Sequence, residues 1–137
     1  MKAHWRRSVQ RIEIATGSAT CRCVVRLYAT HKTLNAAARR CPDHDGTKVD
    51  GLSWWRMEER EGVPHGIAEV FVVGSKRGTD WPTLVHELHH ASRDLAACLR
   101  DSGAFWAVSD DAEHRAEEWA AAFQERAFSE VWRLRPK

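Results

Sequence analysis

Residues Gly66 to Arg100 read GIAEVFVVGSKRGTDWPTLVHELHHASRDLAACLR, and within this stretch the hydrophobic period changes once. Gly66 to Val73, with Val70-Phe71-Val72-Val73 at its centre, is β-branched and apolar, the composition of a buried strand. Gly74 to Gly78 is a loop, and Asp80 then stands where a helix N-cap belongs, with Pro82 in the first turn, where a missing N–H does little harm. A helix is predicted from Trp81 to about Arg100. At about 100° per residue, Leu84, Val85, Leu88, Ala91, Leu95 and Leu99 form one apolar arc. Asp101-Ser102-Gly103 ends it.

Upstream the chain alternates with period two. Gln10 to Ala15 and Cys21 to Ala29, joined through Thr16-Gly17-Ser18, are predicted strands. Cys21, Cys23, Val25 and Leu27 share one face of the second, and Arg22, Arg26 and Tyr28 share the other. Thr33 to Arg40 is a short helix ended by Cys41-Pro42-Asp43, and Asp43 to Gly51 is a polar loop. Gly51 to Met57 is a further strand, connected to the next through Glu61-Gly62-Val63-Pro64. Downstream, Ser109-Asp110-Asp111 opens a long helix reaching about Trp132, with acidic residues at the end its dipole favours. Strands first and two long helices last make an α+β domain: a small antiparallel or mixed sheet in the N-terminal half packed on the helix of His86 and on a long C-terminal helix.

The composition is that of one globular domain spanning residues 1–137. Hydrophobic residues make up 43% and charged residues 29%, the balance of a folded water-exposed protein. No apolar run approaches the roughly 20 residues that cross a bilayer. Polar and charged residues around Met1 to Gln10 leave no apolar signal core, so a cytoplasmic location is expected. The 21 basic and 19 acidic residues are interspersed and make no nucleic-acid footprint. Seven tryptophans, Trp5, Trp54, Trp55, Trp81, Trp106, Trp119 and Trp132, are expected to fill the core, with Trp54-Trp55 the best candidate for an exposed surface.

His86-Glu87-Leu88-His89-His90 carries the chemistry. His-Glu-x-x-His on a helix sets two imidazoles one turn apart on one face, able to bind a single Zn²⁺, with the glutamate beside them as general base. His86 and His90 project about 40° from each other, and His89 about 100° away from His90, so His89 is not counted as a ligand. Asp94, one turn beyond His90, is a candidate hydrogen-bond acceptor for a ligand imidazole. A catalytic zinc takes a third protein ligand besides a water, and that ligand must come from elsewhere in the chain.

Thr83 to Ala91 resembles the active-site helix of the zincin metallopeptidases. The extended metzincin pattern is absent, since Ala91-Ser92-Arg93-Asp94-Leu95-Ala96 supplies neither its glycine nor its third histidine. Gluzincins take the third ligand as a glutamate from a following helix. Here Glu113 and Glu117 flank that helix's inward stripe of Ala116, Trp119, Ala120, Phe123 and Ala127. Glu117 to Phe123 also resembles the Glu-x-x-Ala-x-x-Phe segment of ImmA/IrrE-type and other small, minigluzincin-like proteins. The resemblance implies a zinc metallopeptidase of the gluzincin type, with ligands His86, His90 and Glu117, Glu113 as the alternative third ligand, Glu87 as the catalytic base and a peptide or protein as substrate. It further implies that the strand Glu69 to Val73 forms a sheet edge along which an extended peptide lies. His114, Tyr28, His65 and nearby arginines are candidate oxyanion stabilisers.

Two other functions compete. One is a catalytically inactive zincin-fold interaction protein, against which Glu87 counts. The other is a structural zinc protein using Cys21, Cys23, Cys41 and His44, whose spacing fits poorly; buried free thiols explain the cysteines better.

Overall fold

The computed structural model describes residues 8–42, 44–102 and 109–137. Five strands and three helices follow in the order β1 (Gln10–Ile14), β2 (Cys21–Tyr28), α1 (His31–Ala38), β3 (Gly51–Arg60), β4 (Val63–Ser75), β5 (Gly78–Thr79), α2 (Trp81–Asp101) and α3 (Ser109–Leu134). The α+β arrangement is the expected one. The sheet is mixed, in the order β1-β2-β4-β3: β1 pairs antiparallel with β2, β2 parallel with β4, and β4 antiparallel with β3. A parallel neighbour requires a crossover, and α1 together with β3 provides the length between β2 and β4.

Two elements begin or end where local chemistry overrides pattern. Helix α1 starts at His31 because Thr30 caps it, accepting from the Thr33 amide while the Thr33 hydroxyl accepts from the Thr30 amide. The turn between β3 and β4 is only Glu61-Gly62, both at positive φ (52° and 80°), so Arg60 pairs with Val63 and both strands run longer than expected. On α2, the Asp80 carboxylate accepts from the Thr83 amide at 3.3 Å, as an N-cap should.

Alternation along the strands divides the sheet into two buried faces. Ile12, Cys23, Val25, Leu27, Ala68, Val70 and Val72 meet Leu84, Leu88, Leu95 and Phe123 of α2 and α3 in the main core. On the other face Tyr28 and Phe71 pack edge to face, 5.6 Å between centroids, beneath Leu34 and Ala37 of α1. Val85, expected on the apolar arc of α2, is instead 43% exposed. The C-terminal half of α3 is tied to the first strand: Gln10 Nε2 donates to the Leu134 carbonyl at 2.6 Å, and Arg126 to the Ala15 carbonyl at 2.8 Å.

The described tryptophans do not fill the core. Trp54, Trp55, Trp81 and Trp119 are partly buried at its rim and Trp132 is exposed, in keeping with the rarity of fully buried indole. Trp5 and Trp106 lie outside the described residues. Among the described residues no helix is long and apolar enough to cross a membrane.

Candidate metal centre

Apolar residues of α2 commit it to the sheet and so turn the opposite flank outward. His86 and His90 lie on that flank, exposed, with their Nε2 atoms 3.2 Å apart and ring centroids 4.7 Å apart. Glu87 is half-buried beside them. One ligand atom from each of His86, Glu87 and His90 lies within 4.8 Å of the others, and no second such group occurs among the described residues. His89 is not part of that group, although its ring meets the His90 ring edge to face at 5.8 Å.

Glu87 owes its position to β3. Gly51 has no side chain where the strand passes closest to α2: a Cβ there would overlap Thr83 Cγ2 and lie 3.1 Å from the Phe71 carbonyl oxygen and 3.2 Å from Glu87 Cγ. Burial pushes the Glu87 carboxyl above its ordinary range, opposed by His86, His90 and a backbone hydrogen bond from Ser53. A carboxylate held half out of water beside two imidazoles is suited to taking up and releasing a proton. A cleft of about 430 Å³, lined by Val49, Gly51, Thr83, His86 and Glu87, opens at this end of the strand.

The strand beside the cluster is not the expected one. Residues 66–72 of β4 are paired on both sides, with β2 and with β3, so Glu69 to Val72 is interior and, among the described residues, β3 is an edge. Glu69 itself is 3% exposed and faces away from α2, between Arg26 at 3.0 Å and Arg56 at 3.0 Å. Nothing in the Gly51–Met57 sequence marks an edge. Gly51 and Ser53, two small residues on alternate positions, are the signal that this face passes under a close helix.

Glu117 is exposed and outside the three-residue cluster. With Glu113 it lines a separate depression bordered by Arg93, Arg100 and Ala116. The expected oxyanion stabilisers do not converge either. Tyr28 is fully buried on the α1 side of the sheet, and the strand alternation turns His65 to that same side. His114 is paired with Glu118 at 2.5 Å on exposed α3 surface. The cysteine alternative is not assembled: Cys21 and Cys23 belong to the helix-side core, Cys41 to the α1-side core. All four cysteines are free thiols, with Cys21 Sγ and Cys98 Sγ 3.9 Å apart.

No family model, curated protein or solved structure matches this chain.

Proposed function

We propose that this protein is a zinc-dependent metallopeptidase of the gluzincin type, acting in the cytoplasm on a peptide or protein. The observation that supports it is the cluster of His86, Glu87 and His90 beside an edge strand. Two nitrogens bound to one tetrahedral Zn²⁺ at about 2.0–2.1 Å stand about 3.3–3.4 Å apart, and His86 Nε2 and His90 Nε2 are 3.2 Å apart. The two nitrogens are thus as close as one such ion needs, and small ring rotations would turn both toward it. The third ligand, Glu117 with Glu113 as the alternative, rests on the resemblance of the sequence. When bound, Zn²⁺ supplies Lewis acidity to a peptide carbonyl and lowers the pKa of water to near 7.

The chain's own residues do the rest. Glu87 accepts the proton of the attacking water on its carboxylate and delivers one to the leaving amine nitrogen. The free edge of β3 offers main-chain hydrogen bonds to an extended peptide, holding its carbonyl over the cluster. That role moves from the strand Glu69 to Val73, paired on both sides as far as Val72, to Gly51–Arg60.

Zinc titration with a peptide-cleavage assay tests this. The wild type is expected to bind about one Zn²⁺ and to cleave, and Glu87→Gln to bind Zn²⁺ and not cleave. Glu117→Ala is expected to lose most of the affinity, and Glu113→Ala at most about 10- to 100-fold. A wild type that takes up no zinc overturns the proposal. Zinc binding without hydrolysis favours an inactive interaction protein, a reading supported by the position of Glu117 outside the cluster.

A further inference from the structure

A second cleft, of about 440 Å³, opens on the far side of the cluster between β3 and α2. Its walls are Trp55, Met57, Pro64 and Cys98, and it is shaped by Gly66. A Cβ at that glycine would overlap the Trp55 indole and lie 3.1 Å from Cys98 Sγ, so the missing side chain lets the indole lie flat against the strand. Among these apolar walls stands the carboxylate of Asp94. It is half-buried, the imidazole of His90 one turn back is the charge partner it feels, and no lysine or arginine lines the cleft. Asp101 at the rim already has Arg100 at 3.3 Å.

An apolar trough ending in a carboxylate, with no lysine or arginine of the cleft to meet it, matches a long cationic side chain, whose methylenes cover the indole while its head meets the charge. We propose that this cleft receives an arginine or lysine of the substrate, a selection that rests on the peptidase reading above. Its distance from the cluster sets the position. Seven residues of helix separate Glu87 from Asp94, about 10 Å, or about three residues of extended peptide. Direction follows from the strand. β3 runs from Gly51, beside Thr83 and Glu87, toward Met57 in the cleft. A peptide added antiparallel, the more stable pairing, runs from the cleft toward the cluster. The basic residue therefore lies two or three positions on the N-terminal side of the cleaved bond.

Cleavage sites in a diverse peptide library are mapped by mass spectrometry with the zinc-loaded wild type. Then kcat/KM is compared for a matched pair of peptides carrying arginine or norleucine at that position, with wild type and Asp94→Asn. Binding of the same pair to Glu87→Gln, followed by tryptophan fluorescence, gives a readout independent of hydrolysis. The expected result is an arginine preference of about 10- to 100-fold, the range of a charged hydrogen bond, abolished by Asp94→Asn. A role of Asp94 exerted through His90 would scale both peptides alike and leave the ratio unchanged, which overturns the proposal. So does a preference for norleucine, or cleavage with no preference, with the peptidase reading intact. Binding preference for arginine in a protein that never cleaves keeps the cleft and removes the hydrolysis; neither binding nor cleavage removes both.

Discussion

Replacing Gly51 by alanine tests the seam between the edge strand β3 and the helix α2 that carries His86 and His90. Gly51 is not at positive φ, so on backbone grounds alone alanine there should stabilise the fold by about 0.4–1 kcal/mol, through the lost entropy of the unfolded chain. The new methyl, however, has nowhere to go: it overlaps Thr83 Cγ2, and the Phe71 carbonyl oxygen at 3.1 Å belongs to backbone that does not yield. Overpacking of this kind costs about 1–3 kcal/mol. The two opposing contributions leave a net loss of about 0–2.6 kcal/mol, which for a domain of this size lowers Tm by up to roughly 12 °C. Urea unfolding of four proteins, wild type, Gly51→Ala, Thr83→Ser and the double variant, measures it. Thr83→Ser removes Cγ2 and should return most of the loss, so the two changes couple favourably. A Gly51→Ala protein more stable than wild type, or no recovery on adding Thr83→Ser, refutes the close approach.

Leu88, fully buried and lying between His86 and His90 in sequence, is expected to cost about 2.7–5 kcal/mol on replacement by alanine, measured by the same unfolding. Because burial raises the Glu87 pKa, its charged form opposes folding above the ordinary value of 4.5, and the penalty disappears as pH falls below it. Metal-free Glu87→Gln should therefore melt above wild type at pH 7, with the gap closing toward pH 4; equal melting at pH 7 would show that the carboxylate is not desolvated. Glu13 has the opposite sign. Arg22, with a smaller part from Arg11, holds its carboxyl below the ordinary 4.5, so the stability it adds is present above that value and lost as pH falls through the lowered one. Glu13→Gln should flatten the acid side of a Tm against pH curve, and an unchanged acid side would remove the pair from the account.

Much of this fold is legible in the chain. The arc Leu84, Leu88, Ala91, Leu95 and Leu99 is buried as a period of 3.6 requires, and it alone dictates that His86 and His90 face outward together. Cys21, Cys23, Val25 and Leu27 share the helix side of β2 for the matching reason with period two. What alternation does not encode is which strand lies beside which. Val70-Phe71-Val72-Val73 is apolar on both faces because it has a layer of helix on each, and such a strand is interior. Its composition, taken by itself, says only that it is buried. Glu69 runs against that composition and is accommodated by Arg26 and Arg56, 43 and 13 positions away, a pairing no local window contains. The place of Glu117 is hidden for a similar reason, since the helical angle of a residue fixes its side of α3 but not its height against α2.

The free edge of β3 also governs how molecules of this protein behave toward one another. An unpaired strand accepts a second copy as readily as it accepts any extended chain, and long uncharged edges promote aggregation. Here the protection is uneven. Arg56, Glu58, Glu59 and Arg60 put charge of both signs on the half of the strand remote from Glu87, whereas Gly51 to Trp55 carries none. Gly51 to Trp55 is thus the part of the edge without a charged guard, and a second copy pairing there would cover the approach to Glu87.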